Sequence, residues 1–112
     1  MNEVYVSITG LKLKSFWYTP LFYFFAVPSF EQARKAKGNK QTQTTTRNGF
    51  HHTLTVWDSK KSMLNYLYTG SHKRAIANFR WMATGKTYGY VSVSVPNWDE
   101  AIKVWDKHGR DY

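Results

Sequence analysis

No cysteine occurs in this chain of 112 residues, which excludes a disulfide framework, a thiolate metal site and a nucleophilic thiol. A reducing compartment suits that composition, and a cytoplasmic protein is expected. Acidic residues are scarce, 7 against 16 Lys and Arg, so carboxylate pairs for acid–base work are poorly supplied. Asp99, Glu100 and Asp106 fall together only on the last helical stretch, where such charges usually make a solvated face. No Gly-rich phosphate loop, serine nucleophile elbow or EF-hand loop is present. The densest apolar run, Phe16 to Val27 (FWYTPLFYFFAV), has 12 residues, short of the roughly 20 that cross a bilayer, so no membrane span is expected. Lys12 and Lys14 precede it as in a signal peptide. No small-residue cleavage site follows Val27, however, and Glu31-Gln32-Ala33-Arg34 continues a helical pattern, so secretion is not expected.

What the chain has in excess is positive charge and aromatic rings. A formal charge of +9 draws phosphates and anionic surfaces as a long-range field without specifying a fold, and any nucleic-acid binding from that source alone is expected to be non-specific. With 5 Trp, 8 Tyr and 7 Phe, the rings exceed what one small core absorbs, so some of them must line a pocket, an interface or a stacking surface. The length suits a single domain over residues 1–112.

Residues 3–9 alternate as a strand, and Gly10 is expected to end or bend it. Thr19-Pro20 starts a helix that can run to Lys37 with Gly38 as its stop, and Pro28 should kink or split it. Two β-prone runs, 40–47 and 50–57, joined by Asn48-Gly49 predict a hairpin with a type I′ turn. Asp58 and Ser71 are placed as caps of two helices, residues 86–95 as a strand, and Asn97 as the cap of a last helix. The order β-α-β-β-α-β-α is the split βαβ arrangement, an α+β ferredoxin-like fold with an antiparallel sheet. Its alternation predicts an aliphatic face (Val4, Val6, Ile8, Leu54, Val56, Val91, Val93, Val95). The opposite face is aromatic and hydroxylic, with Tyr5, Ser7, Thr9, His51, Thr53, Thr55, Trp57, Tyr88 and Tyr90, and is expected to need a ligand or a second copy against it.

The segment Thr53-Leu54-Thr55-Val56-Trp57-Asp58, followed by Met63 and Gly70-Ser71-His72-Lys73-Arg74-Ala75-Ile76, resembles the spheroidene monooxygenase-like branch of the antibiotic-biosynthesis monooxygenase superfamily. The stretches Val6 to Trp17 (VSITGLKLKSFW) and Ser29 to Gly38 are similar to small bacterial members of it. The resemblance implies a homodimer in which two ferredoxin-like chains form an α+β barrel. It also implies a monooxygenase-like oxidoreductase that is either cofactor-free or haem-binding. Carried onto this sequence, it points to His72 and to His52, or its neighbour His51, as catalytic imidazoles, with His72 the protein ligand if haem is bound.

Each of these candidates has a plainer reading. His72 early in a helix is equally a capping or packing residue, and alternation sends the His51 and His52 rings to opposite faces, so they cannot share one metal. Trp57, Tyr66, Trp81, Tyr88 and Tyr90 would build an apolar cavity with polar handles for a small aromatic molecule, or simply fill a core and a dimer contact. A rival from another class is a non-catalytic binder or a basic RNA-binding sheet, because Lys86 to Val93 matches most of the RNA-recognition octapeptide. That octapeptide belongs on the third strand of its fold, whereas here it falls on the last, and Thr87 and Val93 depart from it. The expected function is therefore a monooxygenase-like protein binding a small apolar or aromatic molecule between sheet and helices.

Overall fold

The computed structural model describes residues 3–111, and the side chains of Ser71 and His72 lie outside the described residues. Strand β1 (Val4–Leu13) leads through a 3-10 turn, Phe16–Tyr18, into α1 (Thr19–Lys35). Then follow β2 (Asn39–Arg47), β3 (Phe50–Trp57), α2 (Lys60–Leu67), α3 (Gly70–Met82), β4 (Ala83–Ser92), α4 (Trp98–His108) and β5 (Arg110–Asp111). The sheet order is β2-β3-β1-β4-β5 with every neighbouring pair antiparallel, an α+β ferredoxin-like arrangement extended by one short edge strand.

Local chemistry explains most boundaries. Asn48 (φ 54) and Gly49 (φ 81) both adopt the left-handed region that a type I′ turn demands, and the hairpin forms between Arg47 and Phe50 as predicted. Asn97 accepts a hydrogen bond from the Glu100 N–H at 2.9 Å and starts α4. Two caps differ from expectation. Ser59, not Asp58, caps α2 by accepting from the Ser62 N–H, while Asp58 accepts from the Ser62 hydroxyl at 2.6 Å. Helix α3 begins at Gly70 after Thr69, one residue before the predicted Ser71 cap. Pro28 does not split α1, which runs unbroken to Lys35. Strand β4 begins at Ala83 and ends at Ser92, both three residues earlier than the expected 86–95.

Gly10 neither ends nor bends β1. It pairs with His52 on one side and Lys86 on the other, and a Cβ there would clash with Trp105 of α4. The missing side chain admits the indole onto the sheet. On this side α4 seals a cluster of Val6, Ile8, Leu54, Ala101 and Trp105. The aromatic and hydroxylic side is covered by the chain's own helices α1, α2 and α3. They pack at its two ends in separate clusters, one around Leu11, Phe22, Phe79 and Met82, the other around Tyr5, Trp57, Met63 and Tyr66. Among the described residues, no helix is long and apolar enough to cross a membrane.

The predicted faces need one correction. Tyr88 and Tyr90 stand opposite Ile8 and Val6, so they share the aliphatic face under α4, and Val91 opposite Tyr5 belongs to the other face. Alternation within β4 leaves both assignments open; only its pairing register with β1 decides between them.

Candidate functional site

Between the two clusters on the helix-covered side lies a cavity of about 890 Å³. Its floor is the alternate row of the sheet, Ser7 and Thr9 of β1, Thr53 and Thr55 of β3, and Thr87 and Gly89 of β4. Its roof is chiefly apolar, with Phe22, Ala26 and Phe30 of α1, Met63 of α2, and Ile76 and Phe79 of α3, while Lys60 and Arg80 also reach the lining. Threonine and serine face inward here because β-branched and small hydroxyl residues fit a pleated sheet while leaving volume that Val or Leu would fill. The hydroxyls are partly spoken for. Thr9 and Thr87 bond across the strands at 3.0 Å, and Thr87 donates to the Ile8 carbonyl at 3.3 Å. At the far end Tyr66 donates to the Ser29 carbonyl (3.2 Å) and accepts from the Ser29 hydroxyl (3.1 Å). Gly89 keeps the floor open beside Tyr5, whose phenol occupies the place a Cβ at Gly89 would need.

His51 is the imidazole that belongs to this side. Its ring stacks on Phe22 at 4.7 Å, meets the edge of Tyr23 at 6.0 Å, and its Nδ1 makes a long contact of 3.4 Å with the Thr46 hydroxyl. Burial lowers its pKa from 6.5, so the ring is neutral at pH 7. Burial likewise raises the Tyr5 phenol above 10.0, keeping it a hydrogen-bond donor throughout the physiological range.

His52 projects to the other side, edge to face with Trp105 at 4.7 Å and near Phe50 at 6.1 Å. It is buried, its Nδ1 has no partner, and burial foremost lowers its pKa. His72 falls in the first turn of α3, but its side chain lies outside the described residues. Of the predicted ligand-binding rings, Tyr66 reaches the cavity, Tyr88 contributes to its lining from β4, and Trp57 is buried against Tyr66 at 5.2 Å with its Nε1 unpartnered. Trp81 sits on the outer surface beside Tyr18, and Tyr88 and Tyr90 stack on each other beneath α4. Phe22 and Phe79, five ångströms apart in the roof (5.3 Å), were not singled out as ligand contacts by sequence reasoning. The signal for Phe79 was its helical spacing with Ile76; for Phe22 there was only an uncharged run. Among the described residues, no group of three or more His, Asp or Glu is placed to hold a metal ion.

No family model matches the chain, and no curated protein matches it in sequence. Solved structures do match in shape. A candidate antibiotic biosynthesis monooxygenase from Nitrosomonas europaea superposes with a TM-score of 0.71 at 13% identity, covering 85% of this chain and 93% of that one. One from Deinococcus radiodurans gives 0.68 at 18% identity, with 82% and 96% covered. SnoaB, a cofactor-independent oxygenase from Streptomyces nogalater, gives 0.65 at 9% identity, with 88% and 98% covered. The chain has the α+β ferredoxin-like fold that these antibiotic biosynthesis monooxygenase structures share.

Proposed function

We propose that the protein is a monooxygenase-like oxidoreductase that binds a small apolar or aromatic molecule in the cavity between sheet and helices. The observation that carries this reading is the cavity itself, chiefly apolar above, hydroxylic below, with the His51 imidazole, whose pKa burial lowers, at its wall. Phe22 and Phe79, in contact with each other, would present one apolar surface to a ring system while the Thr and Ser floor orients its oxygens. His51 would take a proton from an activated C–H of the bound ring. A neutral imidazole suits that work at pH 7, because it is already in its base form. The resulting anion is electron-rich enough to reduce dioxygen directly: a ring CH2 becomes C=O, one oxygen atom enters the product and the other leaves as water. No further reductant is needed, which agrees with SnoaB being a cofactor-independent oxygenase. A haem alternative would use His51 or the expected His72 as ligand; a Soret band stoichiometric with protein purified from haem-replete cells is its signature.

A homodimer belongs to the same proposal. Val91, Val93 and Val95 at and beyond the end of β4 are exposed apolar residues that a second copy would cover. The RNA-binding reading is less well supported, since Tyr88 and Tyr90 are partly buried against the cluster under α4 and are not presented as an open stacking platform. The direct test is oxygen uptake in the presence of a tricyclic phenol bearing a ring CH2, without added cofactor. His51→Ala should lower the rate about 100-fold or more, the range for loss of a general base. Uptake unchanged in that variant would remove His51 from the mechanism.

A further inference from the structure

From Ser15 to Phe30 the chain carries sixteen consecutive uncharged residues, and the structure wraps them into the 3-10 turn and the first three turns of α1. One side of this segment is spent on the fold: Phe22 is buried, and Leu21, Phe25 and Ala26 pack against the α3 cluster. The other side is equally apolar and covered by nothing among the described residues. Phe16, Trp17 and Phe24 are 72%, 78% and 70% exposed, and Pro20, Val27 and Pro28 continue the same outer stripe. A helix apolar all round is at home only where both faces are covered, by protein or by lipid. Trp81, also exposed, widens the patch from the C-terminal end of α3, where Tyr18 meets its ring at 5.4 Å.

Charge says which. The helical layer, residues 14–37 and 59–82, holds nine Lys and Arg and a single acidic residue, Glu31, which is already paired with Arg34 at 2.9 Å. Lys73, Arg74 and Arg80 line the exposed side of α3 next to the apolar stripe, while Lys14 and Arg34-Lys35 stand at its two ends. The rest of the molecule is nearly balanced, seven basic against six acidic residues. A second copy docking through this layer would bring two strongly positive surfaces together. An anionic bilayer would be attracted to it. Protruding Trp and Phe amid Lys and Arg is the composition of a surface that lies in the headgroup region without crossing it.

We infer that the outer face of the 3-10 turn and α1, flanked by the basic side of α3, docks the protein on an anionic lipid surface. Tyr23 and Val27 are exposed on this face and also line the cavity, so its mouth opens at the docked surface. An apolar ligand would then pass from lipid to cavity without crossing water, a consequence that rests on the cavity reading above; the docking itself does not.

Vesicle flotation tests the docking with no cavity ligand present, so its failure would leave the cavity reading intact. The full chain should float with phosphatidylcholine vesicles containing phosphatidylglycerol and much less with phosphatidylcholine alone. The exposed-residue variant Phe16→Ser/Trp17→Ser/Phe24→Ser, with an unchanged melting temperature, should cut the bound fraction by about tenfold or more. Lys73→Gln/Arg74→Gln should weaken binding to the mixed vesicles only, and added salt should do the same. A wild-type chain that stays in the aqueous fraction with both vesicles would overturn the inference. So would aromatic variants that float like the wild type. A lipid-free particle mass that halves in the triple variant would assign the face to a second copy and equally overturn it.

Discussion

The two sides of the sheet are made from the same three strands, residue by residue in alternation, yet they are packed on different principles. Under α4, Val6, Ile8 and Leu54 pack with Ala101 and Trp105, and even Gly10 is kept side-chain-free to seat the indole. Under α1, α2 and α3, their neighbours Ser7, Thr9, Thr53 and Thr55 leave a cavity of about 890 Å³ between two separate clusters. A small domain has little stability to give away, and a void on one side costs dispersion contacts and ordered structure that a filled core would supply. One side therefore stabilises the sheet and frees the other to hold a ligand.

If that division is right, the largest stability effect belongs to the α4 side. Trp105→Ala removes a buried ring whose Nε1 donates to the Lys86 carbonyl at 2.7 Å, and should cost about 3–5 kcal/mol in urea unfolding. A loss under about 1 kcal/mol would break the comparison, since that is the range of substitutions away from packed cores. On the other side, Ser7→Leu fills the cavity floor at the centre of β1. It should change stability by no more than about 1 kcal/mol while abolishing binding of a tricyclic phenol followed by fluorescence quenching. Destabilisation comparable to Trp105→Ala, with binding retained, would mean that the space is packing slack.

The smallest effect expected is on pH. Burial lowers the pKa values of both His51 and His52 below 6.5, so the unfolded chain binds protons that the native one resists. Their contribution to stability is complete above about pH 6.5 and is lost as pH falls from there toward the depressed native values. Melting temperature should decline over that window, and His52→Gln should flatten the decline. An undiminished slope in the variant would place the proton uptake elsewhere.

Local signals in the sequence were legible and distant ones were not. Asn48-Gly49 and Asn97 announced a turn and a cap because their chemistry acts within four residues. The order of strands and helices, and hence the fold, followed from periodicity. Gly10 was misread as a strand end because its purpose is set by Trp105, 95 residues away. The two-residue strand β5 has no periodicity to detect. Parity within β3 correctly separated the His51 and His52 rings, but nothing in the strand says on which side helices stand off and leave a cavity. Tyr88 and Tyr90 failed for the same reason, since their side depends on the register with β1. The likeness to the spheroidene monooxygenase-like branch rests on the quoted motifs alone, whereas the broader fold also stands on the structural matches.

The alternation itself offers the most direct measurement. Methyl groups of Thr9, Thr53 and Thr55 point into the cavity side, and those of Ile8, Leu54 and Val56 beside them on the same strands point to the opposite, α4-covered face. Titrating methyl-labelled protein with a tricyclic phenol should shift the three threonine signals in a saturable manner and leave the aliphatic three nearly still. Saturable shifts centred on Ile8, Leu54 and Val56, or no shifts at all from the threonines, would contradict a ligand site on the helix-covered side of the sheet.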